Sequence, residues 1–218
     1  MKNLLLLTLI ISSQTFFSQI GVGLNSSPNS FYESLYFKDN KYEYKDIKGS
    51  PYENTDFQLS QIGDYRDIPV RYNSYTDSFE FKQDGKNYIL PKEDNLSRIV
   101  FQNRKKTYAL LNLEGSKQYL EELNRDVGLY KKNTTAFREF KKATTNYEQD
   151  YPPTFEQLAP KYYGSINGNL VEISKKSVEK NFSKQQKDLK DYIRKNNLNY
   201  ENEQDLIKIL SFLKSSNK

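Results

Sequence analysis

The sequence predicts an α+β fold: a mostly antiparallel β-sheet, a meander or small barrel-like sheet, followed by two or three C-terminal amphipathic helices. Three observations predict it. Short Tyr- and Phe-rich runs recur between turn signals up to about Ile173. Asp84-Gly85 and Asn167-Gly168 separate pairs of such runs, and an Asp-Gly or Asn-Gly pair supplies the two positive-φ positions of a type I′ hairpin turn. Beyond Ser174 the apolar spacing changes from two residues to three and four, the helical period.

The chain opens on the basic start Met1-Lys2-Asn3. An apolar run from Leu4 to Ile11, broken by Thr8, and the polar exit Ser12-Ser13-Gln14-Thr15 follow. A membrane-spanning helix needs about 20 apolar residues, so the run has the length of a signal-peptide core. Cleavage is expected after Ser18, leaving Gln19 first, although Phe16 is large for its position relative to the cut. The expected organisation is a signal peptide over 1–18, a β-rich domain over 19–173, and a helical segment over 174–218 packed on it.

Strands are expected at Leu35-Tyr36-Phe37 and Tyr42-Glu43-Tyr44 around Asp39-Asn40, and at Ser78–Lys82 and Asn87–Leu90 around Asp84-Gly85. Ile99–Phe101 and Thr107–Leu111 flank Asn103-Arg104-Lys105, and Lys161–Tyr163 and Leu170–Ile173 flank Asn167-Gly168. Tyr119–Leu129 fits either period. Thr144–Pro160 carries three prolines and cannot hold a regular helix; Tyr147, Tyr151, Phe155 and Leu158 give it rings and a side chain to bury. Ser174 caps a short helix carrying Val178 and Phe182. Ser183 with Gln186 fits a capping box for a second helix, and Asn202 opens a third whose stripe is Leu206, Ile209, Leu210 and Leu213.

Composition excludes much chemistry. The 218 residues contain no His and no Cys. That removes the usual proton shuttle near neutral pH, His- or Cys-based triads, Cys/His zinc sites and disulfides. No Gly-rich phosphate loop is present. Eighteen Tyr and 13 Phe supply core volume that aliphatic residues do not. Residues 19–100 carry a net charge of −3 and residues 101–218 a net charge of +7. Export removes nucleic acid as the default partner of that basic half, and its lysines are expected to face water.

Three chemistries stay open. A carboxylate pair is possible in principle, with Glu53 and Asp56 as the foremost loop carboxylates. Oxygen-only calcium binding would draw on Asp64, Asp67 and Asp77 in loops, though their spacing is not that of an EF-hand. A Ser-Lys nucleophile would sit in Ser174-Lys175-Lys176-Ser177. The candidate ligand-binding residues are Tyr65, Arg71, Tyr72, Asn73, Tyr75 and Asp77, since amphipathic rings beside polar groups suit sugars and peptides. The same tyrosines equally serve to cover the edge of a core. Arg71 is expected to pair with Asp77 or a neighbouring carboxylate. No metal, no cofactor and no transmembrane segment in the mature chain are expected.

Gly49-Ser50-Pro51-Tyr52-Glu53-Asn54 followed by Val70-Arg71-Tyr72-Asn73-Ser74-Tyr75-Thr76-Asp77 resembles two consecutive motifs of uncharacterised exported proteins of Bacteroidota. The run Tyr192–Leu198 followed by Glu203–Lys208 is similar to the closing segment of that group. The resemblance implies export and domain extent, and it carries no activity. The expected function is therefore an exported envelope protein, periplasmic, outer-membrane-associated or secreted. It would bind an envelope protein or surface glycan without catalysis. The alternatives are a carboxylate-dependent hydrolase acting on cell-surface glycans, and a structural or assembly component of the envelope.

Overall fold

The computed structural model describes residues 46–215 apart from 103–105, 146, 167 and 183–184. The expected signal peptide, the expected strands around Asp39-Asn40, and the turns at Asn103–Lys105 and Asn167 lie wholly or partly outside the described residues. Within them the chain is α+β. Twelve strands run β1 (Gln58–Ile62), β2 (Tyr65–Asn73), β3 (Ser78–Gln83), β4 (Lys86–Ile89), β5 (Arg98–Phe101), β6 (Thr107–Leu113), β7 (Ser116–Asn124), β8 (Leu129–Lys132), β9 (Thr135–Arg138), β10 (Thr154–Gln157), β11 (Lys161–Ile166) and β12 (Asn169–Glu172). Three helices follow: α1 (Lys175–Asn181), α2 (Gln186–Lys195) and α3 (Glu203–Ser215).

Ten strands form one sheet in the order β12-β11-β8-β7-β6-β5-β1-β2-β3-β4, and β9 and β10 form a separate two-stranded arm. Every strand pair is antiparallel. The β3–β4 hairpin turns on Asp84 and Gly85 at φ 49° and 76°, the left-handed pair the sequence signals. Glu114-Gly115 does the same between β6 and β7, at 52° and 82°, without an Asn or Asp to announce it. Tyr119–Leu129 resolves mainly into strand β7. Asp67, expected in a loop, lies within β2 at φ 57°.

The sheet is open, with β12 and β4 at its edges, so barrel-like closure is not required. It is strongly curled all the same. The rings of Phe79 on β3 and Tyr119 on β7 meet at 4.8 Å between centroids, although four strands separate them in the sheet order. A flat sheet would hold them roughly 24 Å apart at its usual strand spacing. The curl encloses the first core, built from Ile62, Val70, Tyr72, Phe79, Phe81, Ile99, Phe101, Tyr108 and Tyr119. Its rings meet tilted or edge-on, the geometry their quadrupoles favour.

Farther along the sheet, helices cover β8, β11 and β12. Leu129, Ile166 and Ile173 pack with Val178, Leu189, Leu206, Ile209, Leu210 and Leu213, so the stripe read for α3 is wholly buried. Burying each such side chain contributes about 1.5–3 kcal/mol. Gly164 on β11 admits the close approach: a Cβ there would lie 2.5 Å from the Leu210 side chain. Ser174 caps α1 by accepting from the Ser177 amide, and Asn202 caps α3 by accepting from the Gln204 and Asp205 amides. The expected cap of α2, Ser183, lies outside the described residues; the helix is described from Gln186, and Gln185 before it makes no side-chain cap.

Thr144–Pro160 holds no helix, but its Thr154–Gln157 stretch is strand β10 rather than loop. Of the four side chains expected to be buried there, Phe155 is buried, while Tyr147, Tyr151 and Leu158 are exposed. Prolines at 152 and 153 set the chain extended ahead of the pairing with β9. A strap at residues 48–53 ties this arm to the sheet. Lys48 donates its amide to the Pro153 carbonyl and accepts from the Phe155 amide, while Glu53 donates to the Tyr72 carbonyl.

Candidate functional site

Strand register writes one row of side chains across the concave face. Ile62 stands opposite Ile99, Ile99 opposite Tyr108, Tyr108 opposite Glu121, Glu121 opposite Lys131, and Lys131 opposite Tyr162. The row begins in the curled core and ends under the helices. Its middle is charged. The seam between the two cores is therefore a polar band laid on a continuous sheet.

The strap brings Glu53 over that band. Its Oε2 accepts from the Tyr108 hydroxyl at 2.6 Å and from Lys106 Nζ at 3.5 Å, and its Oε1 accepts from Asn133 Nδ2 at 2.6 Å. Glu121 Oε2 faces Lys106 Nζ at 3.2 Å, Asn133 Nδ2 at 3.5 Å and Lys131 Nζ at 3.7 Å. Lys131 also donates to Glu203 Oε1 at 3.0 Å, which joins the band to the first turn of α3. Above it opens a cleft of about 220 Å³ lined by Glu53, Ser74, Lys106, Lys131, Asn133 and Gln157, with the β9–β10 arm as one wall.

Burial pushes the Tyr108 hydroxyl far above the usual phenol value, and the Glu53 charge and hydrogen bond push it further. Tyr108 is thus a fixed donor to Glu53. Burial pulls the Lys131 ammonium down, but the Glu203 hydrogen bond and the Glu121 and Glu203 charges outweigh it and raise the group overall. Lys131 stays a cation between two carboxylates.

The six residues singled out from sequence are distributed over several tasks. Tyr72 is buried in the curled core, and its hydroxyl donates to Asp77 Oδ1 at 2.6 Å. Asp77 also accepts from Lys92 at 2.6 Å, from Lys132, and from the Tyr119 amide at 3.2 Å. That carboxylate ties the β2–β3 turn to β7 and β8. Burial lowers Lys132, with Asp77 opposing the shift; burial and Asp77 both raise the Tyr72 hydroxyl. Arg71 pairs with Glu80, not with Asp77. Asn73 Oδ1 accepts from the Tyr75 and Thr76 amides and shapes the turn. Tyr65 packs against the first core, and Tyr75 meets Phe155 edge-on at 5.5 Å, partly exposed. The structure brings Tyr72 and Asp77 together and places Arg71 on a different cluster.

The other candidates also find places. Glu53 is in the cleft; Asp56 is exposed and does not line it. No three acidic side chains among the described residues converge to hold a metal ion. Ser174 and Ser177 hydrogen-bond each other in the α1 cap, so they serve the helix start. Sequence reasoning missed Lys106, Glu121, Lys131 and Asn133. A signal existed for one of them: Glu121 lies two residues from the buried Tyr119, so strand alternation puts a carboxylate on the core face.

The chain matches no protein-family model, no curated protein and no solved structure.

Proposed function

We propose that this chain is an exported envelope protein that binds a partner or ligand in the seam cleft without turning it over. The N-terminal basic-apolar-polar pattern and the resemblance to exported Bacteroidota proteins support the export half of the reading. The observation that carries the binding half is the occupancy of the cleft's charges. Glu53 already accepts from three donors, Tyr108 on β6, Lys106 just before that strand and Asn133 between β8 and β9, and Lys131 spans two carboxylates. Such a network is preorganised for recognition and presents no spare general acid. The sequence has no His to supply one.

A second reading has one observation in its favour. Glu53 and Glu121 share the same cation and the same amide, Lys106 and Asn133, and paired carboxylates are the machinery of glycoside hydrolysis. One experiment separates the two. Ligand-observed NMR on the purified chain against fractionated envelope material compares wild type with Leu158→Trp, which fills the cleft from its exposed rim. A component retained by wild type, chemically unchanged, and lost in the variant supports binding. Conversion of that component, abolished by Glu53→Gln or Glu121→Gln, favours the hydrolase. Equal retention by the Leu158→Trp variant sinks the cleft as the site.

A further inference from the structure

We infer that the ligand unit taken by this cleft is a neutral sugar ring held through adjacent hydroxyls, an inference that rests on the cleft being a binding site. Charge comes first. Among the described residues, three carboxylates pair with the two lysines of the cleft, Lys106 and Lys131: Glu53 on its lining, and Glu121 and Glu203 behind it. A phosphate or carboxylate ligand would have to approach Lys106 and Lys131 against the repulsion of three like charges. A cationic ligand would have to displace those same lysines. A neutral polar ligand meets neither obstacle.

Hydrogen-bond geometry points the same way. Charge-assisted N–H···O bonds are normally about 2.7–2.9 Å long. The Lys106 contacts to Glu53 and Glu121 are 3.5 and 3.2 Å, and the Lys131 contact to Glu121 is 3.7 Å. Lys106 is also 31% exposed. By contrast, Asn133 and Tyr108 each hold Glu53 at 2.6 Å. The cleft therefore combines one carboxylate, Glu53, anchored by neutral donors with a lysine, Lys106, whose N–H groups are only loosely engaged. A hydroxyl accepts from an ammonium and donates to a carboxylate in one step. Two hydroxyls on neighbouring carbons do so at two adjacent points, which suits the placement of Lys106 and Glu53 together on the cleft lining.

Size and lining agree. A cleft of about 220 Å³ lies below the usual 300–1,000 Å³ of drug-sized ligand pockets, so it takes one ring rather than an extended chain. Leu158 is its one apolar lining residue among Glu53, Ser74, Lys106, Lys131, Asn133, Thr134 and Gln157, which leaves little for an acyl or aromatic ligand.

The test titrates the purified chain with the methyl glycosides of glucose, galactose and mannose, and separately with inorganic phosphate and methylamine, followed by NMR. At least one glycoside is expected to bind with a dissociation constant in the millimolar range. Its affinity should fall about tenfold or more in Lys106→Met and in Leu158→Trp, with amide spectra showing both variants folded. A monodeoxy version of the same glycoside should also lose about tenfold, because the site's polar groups are then left unpaired. Phosphate or methylamine binding that the two variants abolish, with no glycoside binding, overturns the sugar assignment and leaves the cleft as a binding site. Glycoside binding indifferent to both variants overturns the site itself. No binding of any glycoside overturns the sugar assignment.

Discussion

The Arg71 guanidinium lies over the Tyr52 ring, 3.8 Å from its centroid, and donates twice to Glu80 Oε2, at 2.9 and 2.7 Å. The Tyr52 hydroxyl takes the other oxygen, Oε1, at 2.8 Å. Arg71 and Glu80 are register partners on β2 and β3, so strand pairing alone places them together on the face away from the core rings. Glu80 is 2% exposed. Removing one member of a buried pair strands the other's charge, at about 3–5 kcal/mol. Glu80→Ala is therefore expected to lose that much in urea unfolding. The double variant Arg71→Met/Glu80→Met should regain most of it, since apolar replacement of both members is often neutral. Equal losses in the single and double variants would show that the pair does not hold the strap in place.

Two buried tyrosines one strand apart should respond oppositely to losing a hydroxyl. Tyr119 is 1% exposed and its hydroxyl has no partner among the described residues. A buried unpaired polar group costs about 1–3 kcal/mol, so Tyr119→Phe should leave stability unchanged or raise it by about 1 kcal/mol. Tyr108→Phe removes the short bond to Glu53 and should cost about 1–3 kcal/mol. Thermal melts of the two variants check the contrast, and a clear loss from Tyr119→Phe would mean that its hydroxyl is satisfied.

The strap depends on one backbone conformation. Gly49 has φ 78°, and a Cβ there would drive into the backbone carbonyl of Phe155. Because the obstacle is main chain, it cannot rotate away. Gly49→Ala is expected to cost about 1–3 kcal/mol and to loosen the strap that carries Glu53. Amide exchange should then rise at Lys48 and Phe155, whose backbone bonds join strap to arm. Unchanged protection there would show that the strap is not held through this contact.

What the sequence revealed and what it hid follow from range. The β3–β4 hairpin was legible because Asp84-Gly85 is a local signal with a local cause. So was the α3 stripe, since Leu206, Ile209, Leu210 and Leu213 repeat at helical spacing within one segment. Glu114-Gly115 went unread because Glu is not a usual left-handed residue, although it takes φ 52° here. The cleft was hidden for a different reason. Glu53, Lys106, Glu121 and Asn133 come from the strap, the edge of β6, β7 and the turn before β9. Only the pairing register and the curl of the sheet bring them together, and neither is a property of any short window. Tyr72 looked like a ligand platform for the same reason: its hydroxyl partner could be named, but not the depth at which its ring would be buried.

Alkaline pH should unfold the protein steeply, and the buried tyrosines set the sign. Burial first, and then neighbouring carboxylates, raise Tyr72, Tyr108 and Tyr119 above the ordinary value of 10.0. Tyr130, Tyr162 and Tyr163 are pushed the same way. Above pH 10 the unfolded chain releases these protons while the folded chain keeps them, so the unfolded state binds fewer and stability falls as pH rises. The three most buried groups together give a slope of roughly 4 kcal/mol per pH unit once the pH is past the unfolded value. Lys132 acts in the opposite sense. Burial lowers it from 10.5, so the unfolded chain holds that proton longer and stability rises with pH, but only in the window below 10.5. The expected profile is a shallow rise that gives way to a sharp fall between about pH 10 and 11, read from urea midpoints. Tyr119→Phe should make the fall shallower by about 1.4 kcal/mol per pH unit, the contribution of one titrating group. A flat profile across that interval would mean that the rings of the curled core are open to hydroxide, and that the face-to-face packing of β3 on β7 does not persist in solution.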